Sequence, residues 1–167
     1  PEVIRDINKF SNNVMAQQLF LTLSLQEQGV GTLARSRQRV RSWWAARLGE
    51  ADAPVLDNGS GLSRSERISA QALGRLLHSA WAAPWMPELL ASLPVTGVDG
   101  TLRRSQAQAA GAAHLKTGSL RDVAGIAGVV DAASGQRYVL VAIVNHPNAA
   151  AARPALDALI DWTAQER

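Results

Sequence analysis

The chain has 167 residues, a formal net charge of +3 and no cysteine, and 47% of its residues are hydrophobic while 19% are charged. This composition excludes an intrinsically disordered chain, and the length corresponds to about one domain. Without cysteine there are no disulfides, no thiolate chemistry and no cysteine-based zinc site. The longest apolar runs, residues 123–130 and 138–144, are far shorter than the roughly 20 residues that a membrane-spanning helix needs.

The first predicted helix covers residues 4 to about 28, where apolar side chains recur every three or four positions. We expect it to break near residues 11–13, because short polar side chains compete for backbone hydrogen bonds. Gly29 and Gly31 then end it.

The second predicted helix begins after Thr32, which can cap it, and runs to about Leu48 before Gly49. Its expected apolar face comprises Val40, Trp43, Trp44 and Leu48. Its expected solvated face carries five arginines, namely Arg35, Arg37, Arg39, Arg41 and Arg47. We interpret the arginines as the solvent-exposed face of a helix whose tryptophans pack in the core, and we expect no nucleic-acid partner. The alternative is a basic nucleic-acid-binding module, because a helix face that combines arginines with aromatic residues attracts the phosphates of nucleic acid.

Two loops with strong turn signals, residues 57–61 and 97–100, flank a third helical region. Ser69 is expected to cap a helix from residue 70 to about residue 81, and two prolines follow its end. Residues 89–93 are expected to form one or two further helical turns.

The character of the chain changes after Gly111, where strands rich in valine and isoleucine are predicted over residues 113–119, 123–131 and 137–145. Residues 133–136 form a short hairpin connection. A closing helix is predicted from residue 149 to about residue 165. Its buried stripe is expected to comprise Leu156, Leu159, Ile160 and Trp162. Helices followed by antiparallel strands and a last helix indicate an α+β fold.

Two short motifs carry the chemistry, Ser11-Asn12-Asn13 in the first helical segment and Lys116-Thr117-Gly118 on a strand. Each is unspecific alone, but with an earlier Ser-x-x-Lys they form the signature of penicillin-binding proteins and class A β-lactamases. An acyl-transfer serine enzyme must bind a substrate carboxylate, move protons and stabilise an oxyanion. In such a site Ser11 would relay a proton toward the leaving group, and Asn13 would bind a substrate amide.

The strand motif has a matching set of expected roles. Lys116 supplies positive charge for the terminal carboxylate of a substrate, and the Thr117 hydroxyl adds a hydrogen bond. Gly118 lets the substrate backbone lie close to the strand edge. The N–H of Ser119 is then placed to donate to an oxyanion.

Four motifs in order carry a more specific resemblance: residues 11–13 (SNN), 57–64 (DNGSGLSR), 93–102 (LPVTGVDGTL) and 116–120 (KTGSL). Over essentially its whole length the chain resembles the penicillin-binding D-alanyl-D-alanine carboxypeptidases/endopeptidases of the penicillin-binding protein 4 or DacB type, peptidase family S13. The Gly-Ser-Gly-Leu-Ser-Arg stretch separates this family from other penicillin-binding enzymes.

The resemblance implies a β-lactamase/transpeptidase-like fold in a periplasmic or exported enzyme. Family members hydrolyse the terminal D-Ala-D-Ala bond, or peptide cross-links, of peptidoglycan through a serine acyl-enzyme that penicillins trap. The expected ligands are therefore peptidoglycan stem peptides and, as inhibitors, β-lactam antibiotics. By similarity Leu62, Arg64 and Leu120 would line the pocket for the stem-peptide side chain, and the arginine suits a side chain that ends in a carboxylate, such as diaminopimelate.

The family's nucleophile, the serine of Ser-x-x-Lys, does not occur in the 167 residues. The chain has two lysines, and the residues three positions before them are Asp6 and Ala113. We therefore expect residues 1–167 to be the C-terminal part of a single penicillin-binding domain. The N-terminal part and the inserted domains are absent from these residues, and we expect this N-terminal part of the same protein to be a binding partner of the chain. We also expect this chain alone to be inactive. The alternative is a noncatalytic peptidoglycan-binding or scaffold domain.

The three histidines, His78, His114 and His146, are widely separated and show no metal-ligand spacing, so neither a metal nor another cofactor is expected. His114 alternates with Lys116 on its strand and could face the same side. We interpret it as a structural residue.

Overall fold

The computed structural model describes residues 1–166, except for the side chains of residues 26–28, and the chain forms two compact units. One, the helical unit, comprises residues 12–76. The other, the sheet unit, comprises residues 1–11 and the chain from residue 77 onward. No helix in the described part is both long and apolar enough to cross a membrane.

The described residues form the elements that an α+β fold requires, in the predicted order. The α-helices are α1 (Glu2–Phe10), α2 (Asn13–Gln28), α3 (Leu33–Leu48), α4 (Ala70–Trp81), α5 (Met86–Ser92) and α6 (Arg153–Ala164). The strands are β1 (Ala113–Leu120), β2 (Val123–Asp131) and β3 (Arg137–Asn145). Short 3₁₀ helices cover Gly100–Leu102 and Ala149–Ala152. The predicted α+β class is confirmed.

The predicted break near residues 11–13 separates α1 from α2. Ser11 adopts a left-handed backbone conformation, with φ of 52°, and its N–H donates to the carbonyl of Ile7, which ends α1. The side chain of Asn12 accepts a hydrogen bond from the N–H of Met15 at 3.1 Å and begins α2. These two polar residues thereby bond groups that helix ends otherwise leave without partners.

The other predicted caps are confirmed as well. The Thr32 hydroxyl accepts from the N–H of Arg35 at 3.3 Å at the start of α3. The Ser69 hydroxyl accepts from the N–H of Ala72 at 3.0 Å at the start of α4. Gly29 and Gly49 end α2 and α3, as expected.

The expected apolar face of α3 is wrong at Trp43. Trp44 is 2% exposed, whereas Trp43 is 37% exposed and the guanidinium of Arg47 lies 5.4 Å from its ring centroid. Arg37, expected in solvent, is half-buried, and its Nη1 donates to the carbonyl of Asp57 at 2.9 Å. Arg37 and Arg47 therefore contact other residues of the helical unit.

Gly59 lets the loop after α3 pack directly on α2. Its φ is 72°, a left-handed conformation, and a Cβ there would lie 2.5 Å from both Cβ and Cγ of Phe20. Phe20 is only 7% exposed and cannot move aside without disturbing its packing. The predicted turn at residues 57–61 is therefore also a packing contact.

The Gly59→Ala variant of this chain is expected to lose about 2–5 kcal/mol of unfolding free energy, the sum of left-handed strain and overpacking against Phe20. Gly29→Ala is the matched control, because Gly29 has the same φ of 72° with nothing within 4 Å of the added Cβ. Only the strain, about 1–2 kcal/mol, is expected there. Urea unfolding followed by circular dichroism measures both, and equal losses would contradict the packing contact.

The sheet unit is built on a three-stranded antiparallel sheet in the order β1-β2-β3. The predicted strand bounds are confirmed, with β1 one residue longer. Leu115, Ile126 and Ile160 belong to the apolar core between one sheet face and α6. Because side chains alternate along a strand, Lys116 and His114 lie on the opposite face, where Val129 packs against Met86.

The closing helix differs from its prediction in two respects. Its first four predicted residues, Ala149–Ala152, form a 3₁₀ helix, and α6 begins at Arg153 with Pro154 in its first turn. Leu156 and Ile160 are buried at 9% and 1% exposure, as expected, but Trp162 is 73% exposed. The expected stripe is therefore wrong at Trp162, which lies only two positions after Ile160 and so on a different side of the helix.

The short helix before the second glycine loop also begins earlier than expected. We predicted helical turns over residues 89–93, whereas α5 runs from Met86 to Ser92. Pro87 lies in its first turn, where a proline costs no intrahelical hydrogen bond. Pro87, one of the two prolines that follow the end of α4, thus lies in the first turn of the next helix.

Candidate active site

The sheet unit brings Ser11 and Lys116 together across 105 positions of sequence. Nζ of Lys116 donates to Oγ of Ser11 at 2.8 Å and to the carbonyl of Thr117 at 2.8 Å. Ser11 is presented at the C-terminal end of α1, and Lys116 comes from the middle of β1. Residues from the two short motifs are therefore in direct contact.

Burial sets the electrostatics of this contact. Lys116 is half-buried, and burial lowers the pKa of its ammonium below the ordinary value of 10.5, because low-dielectric surroundings disfavour the charged form. An ammonium in such surroundings attracts an anion more strongly than one in water does. Lys116 can therefore bind a carboxylate and exchange a proton with the Ser11 hydroxyl.

The residues after Lys116 line a cavity at the end of β1. Thr117, Gly118, Ser119 and Leu120 border a space of about 140 Å³, and Arg153 and Ile160 of α6 border it as well. This cavity lies on the α6 side of the sheet, and neither Ser11 nor Lys116 lines it.

The Thr117 hydroxyl has a partner that we did not predict. It shares a hydrogen bond of 2.8 Å with the hydroxyl of Thr101, which lies in the 3₁₀ helix after the second glycine loop. Either oxygen can be the donor, so Thr117 can also accept or donate one further bond. A Cβ at Gly118 would meet nothing within 4 Å, which leaves the backbone of β1 open to a ligand there.

The helical unit holds the remaining predicted site residues, Asn13, Leu62 and Arg64. Nδ2 of Asn13 donates to the carbonyl of Ser60 at 2.6 Å, so its orientation is set by the turn at residues 57–61. Leu62 is 54% exposed, and Arg64 is exposed as well.

A carboxylate that we did not single out organises this turn. Oε1 of Glu66 accepts hydrogen bonds from the N–H groups of Asp57, at 3.2 Å, and Gly59, at 3.4 Å. The Ser60 N–H donates to the Asn58 side chain at 2.9 Å. The turn is thus held by Glu66, which follows it in the chain, and by its own Asn58. A sequence signal existed in the Asx residues at its start.

Lys9 and Asp99 are the other residues that sequence analysis missed. Nζ of Lys9 donates to Oδ2 of Asp99 at 2.6 Å and to the carbonyl of Leu93 at 2.6 Å. The available signal was that Lys9 is one of only two lysines and lies two positions before Ser11.

Among the described residues, no cluster of histidine, aspartate or glutamate side chains could hold a metal ion. His114 is half-buried on the same face of β1 as Lys116, as the alternation predicted.

Comparison with known proteins identifies the family. Residues 1–166 match the model of the D-Ala-D-Ala carboxypeptidase 3 (S13) family. A D-alanyl-D-alanine carboxypeptidase of Actinomadura sp. is 33% identical over 152 residues, which cover 87% of this chain and 28% of that protein. Carboxypeptidase DacB of Mycolicibacterium smegmatis is 29% identical over 170 residues, covering 95% of this chain and 36% of that protein. The chain thus spans about a third of the length of these relatives.

Solved structures share the fold. Penicillin-binding protein 4 of Haemophilus influenzae, solved in complex with a β-lactam, superposes with a TM-score of 0.82 at 22% identity, over 96% of this chain and 41% of that one. A predatory endopeptidase of Bdellovibrio bacteriovorus, acylated by penicillin G, superposes with a TM-score of 0.71 at 17% identity, over 99% of this chain and 46% of that one.

Proposed function

Because the chain belongs to the D-Ala-D-Ala carboxypeptidase 3 (S13) family, we propose that it is the C-terminal part of the penicillin-binding domain of a serine D,D-peptidase. The complete protein hydrolyses D-Ala-D-Ala bonds, or cross-links, of peptidoglycan through an acyl-enzyme. The observation that carries this proposal is the 2.8 Å hydrogen bond between Lys116 and Ser11, since it joins two of the three motifs of the penicillin-binding signature.

The proposed roles in the sheet unit follow from its functional groups. The Lys116 ammonium binds the terminal carboxylate of the substrate, and the Thr117 hydroxyl donates a second bond to it. Ser11, which accepts a hydrogen bond from Lys116, gives its hydroxyl proton to the leaving amine and takes up at the same oxygen the proton that the attacking serine loses. The N–H of Ser119 donates to the oxyanion that forms when the scissile carbonyl is attacked, and open space at Gly118 admits the substrate backbone.

The proposed roles in the helical unit concern the acyl side of the substrate. Asn13 binds an amide of the stem peptide, and its hydrogen bond to Ser60 supports this role by fixing the orientation of the side-chain amide. Leu62 and Arg64 bind the stem-peptide side chain, a role that we also propose for Leu120 in the sheet unit. The exposure of Leu62 and Arg64 supports their availability to a ligand.

The nucleophile of the proposed reaction must come from another segment of the complete protein. The 167 residues contain no Ser-x-x-Lys, and the relatives are about three times as long as the region that they share with this chain. We place that motif, and the inserted domains of the family, N-terminal to this chain. The complete protein acts on peptidoglycan in the periplasm or outside the cell, and β-lactams inhibit it by acylating the same serine.

Intact mass spectrometry after incubation with benzylpenicillin tests the proposed function. We expect the complete protein to gain the mass of one benzylpenicillin and the 167-residue chain to remain unmodified. An adduct on the short chain would show that another serine is the nucleophile. A complete protein that binds peptidoglycan but is never acylated would instead favour a noncatalytic binding domain, which the missing Ser-x-x-Lys makes the second candidate.

A further inference from the structure

Lys9 is a largely buried cation in the last turn of α1, and the proposed reaction assigns it no role. Its side chain is 11% exposed, and its ammonium makes two hydrogen bonds of 2.6 Å, to Asp99 and to the carbonyl of Leu93. Most surface lysines keep their ammonium in water, because removing it is costly unless it is paired. A lysine buried in this way fixes the position of the helix end that carries it.

The partner of Lys9 is itself held in place. Oδ1 of Asp99 accepts the N–H of Val95 at 2.8 Å, while Oδ2 takes the bond from Lys9. Hydrogen bonds then join this turn to β1, with the N–H of Thr96 donating to Ala113 at 2.9 Å and the N–H of Leu115 to Pro94 at 2.9 Å. Asp99 therefore connects α1 to the strand of Lys116.

The backbone of α1 also lies close to this turn. A Cβ at Gly100, which has a φ of 55°, would lie 2.6 Å from the carbonyl oxygen of Lys9. One helical position earlier, Nδ2 of Asn8 donates to the hydroxyl of Ser92 at 2.8 Å. Three hydrogen bonds and this close backbone approach thus attach the end of α1 to residues 92–100.

Ser11 lies two positions after Lys9, and its backbone conformation depends on this attachment of α1. A left-handed backbone at a serine is unfavourable, so the surrounding structure must hold it there. We propose that the Lys9–Asp99 pair is a positioning element that holds the Ser11 hydroxyl at hydrogen-bond distance from Lys116. This role deepens the proposed function and rests on it, since a proton relay works only at that distance.

A lysine titration tests the positioning role without any substrate. In the 167-residue chain labelled with ¹³C-lysine, NMR records two side chains, those of Lys9 and Lys116. In Asp99→Asn, the remaining side-chain oxygen can still accept the hydrogen bond from the N–H of Val95. The oxygen that accepts from Lys9 is replaced by an NH₂ group, which cannot accept. Loosening of α1 then admits water to Lys116, and its titration midpoint is expected to move upward, toward the ordinary value of 10.5.

The direction in which the Lys116 midpoint moves distinguishes a positioning role of Asp99 from a purely electrostatic effect of its charge. Losing the negative charge of Asp99 would by itself lower the midpoint of Lys116, because a nearby carboxylate stabilises the ammonium. His114 is a further titratable group whose charge acts on Asp99. Asp6→Asn is the matched control, since it removes a partly exposed carboxylate of α1 whose ion-pair partner is Arg5, at 3.8 Å, and not Lys9. The control is expected to leave the midpoint unchanged.

A second variant, Gly100→Ala, changes no charge and pushes against the Lys9 carbonyl, so it too is expected to raise the midpoint. An unchanged or lowered midpoint in a folded Asp99→Asn or Gly100→Ala chain would overturn the proposal. In the complete protein, Asp99→Asn is expected to lower kcat for a D-Ala-D-Ala peptide about 10- to 100-fold with little change in KM. A wild-type protein without peptidase activity would refute the proposed function alone, because the titration would still report on Ser11 and Lys116.

Discussion

Replacing Lys116 with methionine in the complete protein is expected to lower kcat/KM for a D-Ala-D-Ala peptide by about 10²–10⁴-fold. The variant removes both the charge proposed to bind the substrate carboxylate and the donor that contacts Ser11 at 2.8 Å. Methionine has a similar length and suits the half-buried site, so the fold is expected to persist. Steady-state hydrolysis of a stem-peptide analogue measures the loss.

The proposed role of Lys116 also predicts how kcat/KM changes with pH. Because burial lowers the pKa of Lys116, the ammonium loses its proton at a lower pH than an exposed lysine, which titrates near 10.5. Carboxylate binding should therefore weaken on the alkaline side, and kcat/KM should fall there as Lys116 becomes neutral. In Lys116→Arg the guanidinium stays charged, and the alkaline decline should disappear from whatever activity remains.

Two further variants complete this experiment. Ser11→Ala keeps the Lys116 charge but removes the hydroxyl, so we expect a loss of about 10²–10⁴-fold that falls mainly on kcat. Arg104→Met is the control, because it removes an exposed cation of the sheet unit and should leave kcat/KM unchanged. Full activity in Lys116→Met would refute the proposed role of this lysine.

Most of the fold could be predicted from sequence because its signals are local. Thr32 and Ser69 bond N–H groups three residues further along the chain, so residue type and position suffice to recognise them. The strands are equally local, since valine and isoleucine favour a pleated backbone and turn residues bound each run. The caps and strand bounds were accordingly confirmed.

The errors arose where tertiary packing decides. Trp43 and Trp162 were predicted to be buried because large apolar side chains usually are, yet both lie at the surface of this chain. The spacing of apolar residues along a helix does not determine how wide a face of that helix is buried by its neighbours. The element against which each helix packs sets that width, and this is not a local property.

The candidate site shows the same division. Ser11 and Lys116 were singled out because their motifs occur together, and the structure places them in contact. Lys9 and Asp99 were missed because 90 positions separate them. Asp99 lies in the motif at residues 93–102, but nothing in that motif points to a lysine near the start of the chain. A side chain that positions a catalytic group leaves little trace in sequence, since its role depends on a fold that brings distant residues together.

Ile160→Ala is expected to lower the unfolding free energy of this chain by about 2–5 kcal/mol, whereas Trp162→Ala should change it by no more than about 0.5 kcal/mol. Ile160 is 1% exposed and belongs to the core beneath the sheet, while Trp162, two positions later on α6, is 73% exposed. Removing buried methylene groups costs their transfer free energy and leaves a cavity, and neither cost applies to a side chain in water. Urea unfolding of the two variants measures the difference. A larger loss for Trp162→Ala would show that this side chain is buried in solution, as the sequence pattern predicted.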